Sequence, residues 1–277
     1  MTLESSNSNN SFVLGLGFQK CGTSWLYSYL KQSGDFNGGD LKEYHIWDAL
    51  DIPLLSYNKV KKPGHIRRIF DRNNSLRYEM QNNNSLYFDY FESLYDNGAS
   101  ITGDITPSYS GLPVSRLENI VSEFKERDII CKSVLLLRDP VDRIKSAVRY
   151  NLDRKNYDEG IPLGESDFIE ALGQYYRTEH CTLRTRYDKT IENVRKVFDS
   201  ENIYIGIYEN MFDNDEIERI SKYIGVNPEF DFARVRVNKT KSPTVNNDDI
   251  ENDIKDFYSE VYKYCNEEFP VTKDLWR

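Results

Sequence analysis

The sequence predicts a three-layer α/β fold in which a central, mostly parallel sheet is flanked by helices. Three apolar runs have the length and composition of buried strands, at residues 12–16, 132–137 and 203–207. Segments with helical spacing separate these runs, and this alternation indicates parallel pairing. The chain of 277 residues is long enough for one such domain. We predict a single domain over residues 12–277, after a polar, disordered tail over residues 1–11.

Local signals give the order of the other elements. Trp25 and Tyr29 recur at helical spacing after the first strand, and a short strand is predicted just before Gly103. Asp139 and Pro140 are the N-cap and first residue of a helix that leaves the second apolar run. The remaining helices are predicted over residues 86–94, 113–127, 167–176, 184–199, 214–224 and 248–265.

Composition restricts the partners that the chain can have. It carries 36 basic and 45 acidic residues, a formal net charge of −9, which weighs against binding nucleic acid or an acidic membrane. The longest apolar runs are only as long as strands, so no membrane span is predicted. The four cysteines follow no metal or disulfide pattern, so we expect no metal site and a reducing, cytoplasmic setting. Nothing in the sequence indicates an oligomeric state.

The junction after the first strand is the most informative segment. Gly17 and Gly22 are separated as in a nucleotide-binding phosphate loop, and Ser24 fits its hydroxyl position. The position of the usual lysine, however, holds Thr23, and the nearby Lys20 precedes the second glycine. A glycine-containing loop at a helix N-terminus presents backbone N–H groups and positive potential to an anion. The segment therefore predicts a phosphate-like anion site that differs from the loop of an NTPase.

A second anion signal lies at the end of the 132–137 strand. Arg138 stands at the strand's carboxyl end, where ligands of open parallel sheets bind. Ser146 follows about two helical turns later, by ~3.6 residues per turn. A guanidinium fork and a hydroxyl suit a second phosphate.

The segment from Lys42 to Asp48 concentrates ionisable groups. Glu43 lies beside Lys42 and near His45, so its carboxylate is a candidate general base whose pKa is tuned by neighbouring charges. The competing interpretation is a solvated charged turn.

These segments together resemble the sulfotransferases that use 3′-phosphoadenosine 5′-phosphosulfate (PAPS). The 5′-phosphosulfate loop of that family, Lys-x-Gly-Thr-[Thr/Ser]-x-Leu, is similar to residues 20–26, and the family's 3′-phosphate site has the Arg-Asp-Pro and distal Ser found here. The resemblance implies a P-loop-like fold, with Lys20 at the bridging oxygen and sulfonate and with Arg138 and Ser146 at the 3′-phosphate. It implies that the 5′-phosphate is lined by Cys21, Gly22, Thr23, Ser24 and Trp25.

The 42–48 segment resembles the heparan-sulfate-type branch, which carries Lys-Glu-x-His followed by two aromatic residues and Asp. The resemblance implies Glu43 as the base, with His45 as the other candidate. Asp48 would support the site, and Lys42 would lie near the sulfonate. Ile46 departs from the branch pattern at the first aromatic position.

Three weaker assignments follow from the same resemblance. Thr106 and Ser108 lie in a segment similar to the branch's Lys-Thr-Pro-Ser-Tyr, which predicts a role in lining the acceptor, although Ile105 replaces the lysine. Tyr187 is a candidate contact of the adenine or 3′-phosphate. Lys239 and Lys241 lie in a basic loop that resembles, without its glycine, the loop that covers the donor in the family.

The expected function is transfer of the sulfuryl group of PAPS, with PAP as product, to a hydroxyl or less often an amine. The expected acceptor is a carbohydrate or another polar small molecule, and this scheme requires no metal. Two alternatives stay open: a small-molecule kinase on a related nucleotide-binding fold, and a catalytically inactive nucleotide-binding protein.

Overall fold

The computed structural model of the chain confirms the predicted α/β class. It describes residues 10–64, 70–157, 159–161, 167–233, 235 and 247–276. Five parallel strands form one sheet in the order β2-β3-β1-β4-β5. The strands are β1 (Ser11–Gly17), β2 (Phe36–Asn37), β3 (Ile101–Ile105), β4 (Ile130–Leu137) and β5 (Ile203–Ile207). The two-residue strand β2 was not predicted, because it is too short to produce a pattern in the sequence.

The central position of β1 explains its continuous apolar character. All seven of its residues are buried, because β3 and β4 pair with its two edges and helices cover its faces. Glycine at position 103 is required by this close pairing, since a Cβ there would lie 2.7 Å from the carbonyl oxygen of Val13. Ser11, the last residue of the expected disordered tail, is the first residue of β1, and residues 1–9 lie outside the described part of the chain.

Helices cover both faces of the sheet. The first, α1 (Thr23–Leu30), follows the loop after β1, and the 140 segment forms the long helix α6 (Pro140–Arg154), capped by the Asp139 side chain. The expected 248–265 helix is divided at Tyr258 into two helices. The other helices are α2 (Trp47–Asp51), α3 (Arg72–Asn82), α4 (Ser85–Ser93), α5 (Val114–Lys125), α7 (Phe168–Tyr175), α8 (Glu179–Leu183), α9 (Tyr187–Arg195), α10 (Asn214–Ile224), α11 (Phe230–Ala233), α12 (Asp248–Phe257), α13 (Ser259–Glu268) and α14 (Thr272–Leu275).

An aromatic cluster fixes α4 and α5 on one face of the sheet. The Phe12 ring of β1 stacks on Phe124 at a centroid distance of 4.0 Å and meets Phe91 edge to face at 4.8 Å. Tyr87 packs edge to face on Phe91 at 4.9 Å. Such geometries add about 0.5–1.5 kcal/mol per pair beyond the area they bury. Within the described residues, no helix is long and apolar enough to cross a membrane.

Candidate active site

The carboxyl ends of the strands open into one cavity of about 840 Å³. Strand β1 leads into the anion loop, β4 leads to Arg138, β3 leads to Ser108, and the chain after β2 leads to Glu43. Parallel pairing brings these segments together, because all of their strand ends lie on the same edge of the sheet. The predicted site residues that line the cavity are Lys20, Gly22, Thr23, Ser24, Trp25, Lys42, Glu43, His45, Ser108, Arg138 and Ser146.

The loop between β1 and α1 has the backbone of an anion site. Lys20 and Gly22 adopt left-handed conformations, with φ of 70° and 96°. A Cβ at Gly22 would lie 2.8 Å from Sδ of Met211, so glycine is required there on steric grounds as well. No side chain caps the N-terminus of α1. The backbone N–H groups of its first turn therefore have no partner within the helix. These N–H groups and the helix dipole therefore provide a site for a negatively charged group.

The Lys20 side chain lies inside the cavity against an aromatic ring. Its Nζ lies 4.0 Å from the ring centroid of Tyr150, on α6. Burial, with smaller contributions from neighbouring arginines of which Arg138 is the largest, lowers the pKa of Lys20 to about 8. Lys20 is therefore a cation whose charged form is destabilised until an anion joins it.

Arg138, at the end of β4, and Arg149, on α6, both line the cavity. Arg138 lies over the ring of Tyr208 at 4.5 Å, and its Nη2 lies 3.5 Å from Asp142. Arg149, one turn beyond Ser146 on α6, lines the same cavity and is only 9 % exposed. Its Nη1 is buried and has no hydrogen-bond partner among the described residues. A buried, uncompensated N–H is costly, and an anion in the cavity would satisfy it. The sequence analysis missed Arg149, although its spacing of three from Ser146 was available.

Lys42 links the anion loop to the candidate base. Its Nζ donates to Ser24 Oγ at 3.0 Å and to Glu43 Oε1 at 2.5 Å. The other carboxylate oxygen of Glu43 lies 3.4 Å from Nε2 of His45. Burial raises the pKa of Glu43, but the His45 hydrogen bond and the Lys42 charge outweigh burial and lower the pKa to about 2. Glu43 is therefore ionised at neutral pH.

The His45 imidazole lies between two carboxylates. Its Nδ1 lies 2.7 Å from Oδ2 of Asp48, and its Nε2 faces Glu43. Asp48 is fully buried and accepts hydrogen bonds from Ser108 Oγ at 2.5 Å and from Asn58 Nδ2 at 3.0 Å. Burial lowers the pKa of His45, but the bonds to Asp48 and Glu43 outweigh burial and raise the pKa to about 9. The imidazole is therefore protonated at neutral pH, with both nitrogens directed at acidic groups.

A buried hydrogen-bond network holds this segment in place. His45 has a left-handed backbone, with φ of 54°, and its carbonyl accepts from the Gln81 side chain at 2.8 Å. The Tyr44 amide donates to Thr106 Oγ at 3.0 Å, and that hydroxyl donates to Asp104. Asp104 is fully buried and also accepts from the hydroxyls of Tyr87 and Tyr109. The unusual backbone of the segment is thus determined by its surroundings.

Four of the predicted site residues are in the protein interior and do not line the cavity. Cys21 points away from the cavity, and its Sγ lies 3.8 Å from the Tyr187 hydroxyl, which donates to the Arg138 carbonyl at 3.0 Å. Asp48 is buried behind the base segment and contacts three residues that line the cavity, His45, Ser108 and Asn58. Thr106 is buried there as well and bonds to the Tyr44 amide. Lys239 and Lys241 lie outside the described residues.

The two ends of the cavity differ in character. At one end Trp25 meets Phe212 edge to face at 5.4 Å, beside Tyr208, and forms an aromatic wall next to the anion loop. The sequence analysis assigned neither Tyr208 nor Phe212 to the site: the pattern at Tyr208 resembles that of the family only in part, and no local pattern marks Phe212.

The other end is polar and adjoins the base segment. There Arg184 Nη1 lies 2.6 Å from Glu159 Oε2, and both side chains are nearly buried. Tyr57 and Asn58 lie beside them, and Asn58 connects this end to Asp48. Tyr57 and Asn58 end a short 3₁₀ helix (Pro53–Asn58), and Glu159 and Arg184 lie outside the strands and helices, so no regular pattern in the sequence marked this end.

Comparisons with known proteins agree with this geometry. The family model described as "Sulfotransferase domain" matches residues 11–265. A sulfotransferase from Alicyclobacillus acidocaldarius has a similar structure, with a TM-score of 0.58 and 18% identity over 93% of this chain and 94% of that chain. The sulfotransferase domain of the Synechococcus PCC 7002 olefin synthase has a TM-score of 0.51 and 13% identity over 90% of this chain and 94% of that chain. No curated protein sequence matches the chain.

At these identities the two structures support the fold alone, whereas the family model covers most of the sequence. The match contains the anion loop, the 42–48 segment and Arg138, which are the parts of the chain that meet in the cavity. This chain belongs to the sulfotransferase domain family.

Proposed function

We propose that this sulfotransferase transfers the sulfuryl group of PAPS to a hydroxyl, or less often an amine, of a polar small molecule or carbohydrate. The observation that carries the proposal is the link within one cavity between an anion loop and a carboxylate. Lys42 contacts both Ser24 of the loop and Glu43, so the two functions are within the reach of one side chain.

The cavity supports PAPS as donor because its lining holds two sets of groups that suit anions. Lys20 and the first-turn amides of α1 suit the 5′-phosphosulfate, and Arg138, Ser146 and Arg149 suit a 3′-phosphate. The aromatic wall of Trp25, Tyr208 and Phe212 suits a purine ring. The donor brings the activated sulfuryl group, and the residues of this chain bind it, orient it and stabilise the developing charge.

The geometry supports Glu43 rather than His45 as the base. Both nitrogens of His45 are directed at carboxylates, and its pKa of about 9 keeps the ring protonated at neutral pH. Glu43 is ionised and borders the cavity, so it can accept a proton. The acceptor oxygen forms a bond to sulfur as its proton passes to Glu43, and the sulfur–oxygen bond to the 5′-phosphate breaks. Lys20 stabilises the charge that collects on the released phosphate.

The nature of the acceptor rests on the polar end of the cavity and on the resemblance of the 42–48 segment to the heparan-sulfate-type branch. The buried Glu159–Arg184 pair and Asn58 offer hydrogen bonds to a hydroxyl-rich molecule. The cytoplasmic setting stays a prediction that rests on the cysteine pattern of the sequence.

Two other functions compete with this proposal. A kinase would place ATP in the same loop, but Thr23 stands where such loops carry the phosphate-binding lysine. An inactive nucleotide-binding protein would keep the donor site, yet the Glu43–His45–Asp48 arrangement has no purpose in such a protein.

Thermal unfolding with PAP, ADP, ATP and AMP, with and without Mg²⁺, tests the donor assignment. A ligand at a hundredfold excess over its dissociation constant stabilises by about 2.7 kcal/mol. That corresponds to a shift of about 5 °C, at roughly 2 °C per kcal/mol for a chain of this size. We expect PAP to raise the unfolding temperature by this amount with or without Mg²⁺. We also expect the protein to transfer the sulfuryl group of PAPS to at least one member of a panel of acceptors. A shift with ATP and Mg²⁺ alone would favour the kinase, and PAP binding without transfer to any acceptor would favour the inactive protein.

A further inference from the structure

Both carboxylate oxygens of Glu43 have cationic partners within the protein. Oε1 accepts from Lys42 and Oε2 faces protonated His45. Arg77, on α3, adds a third positive charge nearby, while Asp48 lies behind the imidazole. A carboxylate with this many cationic neighbours has a low proton affinity, because each positive charge favours its ionised form. It is therefore a weak general base.

Lys42 contacts the anion loop as well as Glu43. It already contacts Ser24, the second residue of α1, at 3.0 Å. Ser24 borders the position that the loop offers to a phosphate, so an anion bound there lies next to the Lys42 ammonium. A phosphate carries more negative charge than a carboxylate and attracts the ammonium more strongly at equal distance. The lysine stem is flexible, and the side chain is partly exposed, so it can turn.

We propose that Lys42 is exchanged between Glu43 and the donor: it blocks one oxygen of the base in the free protein, and the donor's 5′-phosphosulfate draws it away. This inference rests on the proposed function and assigns Lys42 as a positioning residue for Glu43. The released oxygen faces the cavity, with only His45 still bound to the carboxylate. The base thus becomes effective only when the donor occupies the loop, so productive binding begins with the donor.

A double-mutant cycle on PAP affinity tests this exchange without an acceptor. Calorimetry gives the PAP dissociation constant of the unmodified chain, Glu43→Gln, Lys42→Met and the double variant. Glu43→Gln removes the carboxylate that competes for Lys42, so the ammonium becomes available to the ligand. We expect this variant to bind PAP about fivefold more tightly or better, since fivefold is near the lower end of typical coupling between sites. In the Lys42→Met background the same substitution should have a clearly smaller effect on the PAP affinity, because no ammonium remains to be released.

Removal of any negative charge from the cavity also makes its electrostatic potential more positive, which favours an anionic ligand. Glu159→Gln is the matched control for that effect. Glu159 lines the same cavity but pairs with Arg184. We expect its effect on PAP affinity to be equal in the Lys42 and Lys42→Met backgrounds. Circular dichroism and unfolding temperatures establish that each variant is folded.

An equal effect of Glu43→Gln in both backgrounds would overturn the exchange, as would unchanged PAP affinity in Lys42→Met. Failure of the unmodified chain to bind PAP is a separate result, which would overturn the proposed donor itself and the exchange with it.

Discussion

The affinity for PAP should fall steeply as pH rises from 7 to 9, because Lys20 must be protonated to bind a phosphate. Burial and nearby arginines lower the pKa of Lys20 to about 8 from an ordinary value of 10.5. A bound phosphate favours the charged ammonium and returns the pKa at least to that ordinary value. The bound state then retains a proton that the free protein loses above pH 8, so the linkage makes binding weaker at high pH.

The two pKa values set the size of the effect. With values of about 8 in the free protein and about 10.5 in the complex, the dissociation constant rises by roughly tenfold between pH 7 and pH 9. Calorimetry at several pH values measures this slope directly, and buffers of different ionisation enthalpy report uptake of up to one proton on binding near pH 9. His45, with a pKa of about 9, adds a smaller loss of positive charge in the same range.

Lys20→Arg is the matched control, because a guanidinium keeps its charge throughout this range while His45 is unchanged. We expect this variant to bind PAP with only the shallow slope from His45. A pH-independent affinity in the unmodified chain, or the same steep slope in Lys20→Arg, would refute the assignment of Lys20 to the donor phosphate.

Three further outcomes test other parts of the site. In calorimetry, Arg149→Gln should lower the affinity for PAP about tenfold or more and leave the affinity for ADP unchanged, because the lost charge-assisted bonds are those proposed for the 3′-phosphate. Equal losses of affinity for both ligands would contradict this assignment. Asp104→Ala should lower the free energy of unfolding by about 3 kcal/mol in urea titration, since the buried hydroxyls of Tyr87 and Tyr109 lose their acceptor; a variant of unchanged stability would show that the network is dispensable. Gly22→Ala should lower both the unfolding temperature and PAP affinity, because φ of 96° and contact with Met211 strain any side chain there, and normal PAP binding would contradict the role of the loop backbone.

The sequence predicted the elements that have a regular pattern. The 203–207 strand and the 214–224 helix have the predicted bounds, because a short apolar run and an amphipathic repeat are local properties. Strand β2 has only two residues, and its pairing with β3 depends on tertiary structure. The sequence also predicted one helix over 248–265, whereas the chain turns at Tyr258, whose hydroxyl is bound to the Tyr176 carbonyl.

The site was predictable where one segment contains both the geometry and the chemistry. The loop from Lys20 to Trp25 is such a segment, and it lines one cavity together with Glu43. Arg149 and Tyr208 were missed because their relevance comes from which helix face or strand end meets the cavity. The protonation of His45 was likewise hidden, because it depends on Asp48 and Glu43 acting from opposite sides of the ring.

The origin of the two cavity ends suggests how this scaffold can be redesigned. The anion loop and Arg138 project from central strands, so altering them disturbs the sheet. Asn58 ends a short 3₁₀ helix (Pro53–Asn58) and donates to Asp48, so exchange of its segment would disturb the base segment. Glu159 lies outside the strands and helices and pairs with Arg184 instead. A library confined to the residues next to Glu159 would therefore vary the proposed acceptor end of the cavity and leave the anion loop and Glu43 unchanged.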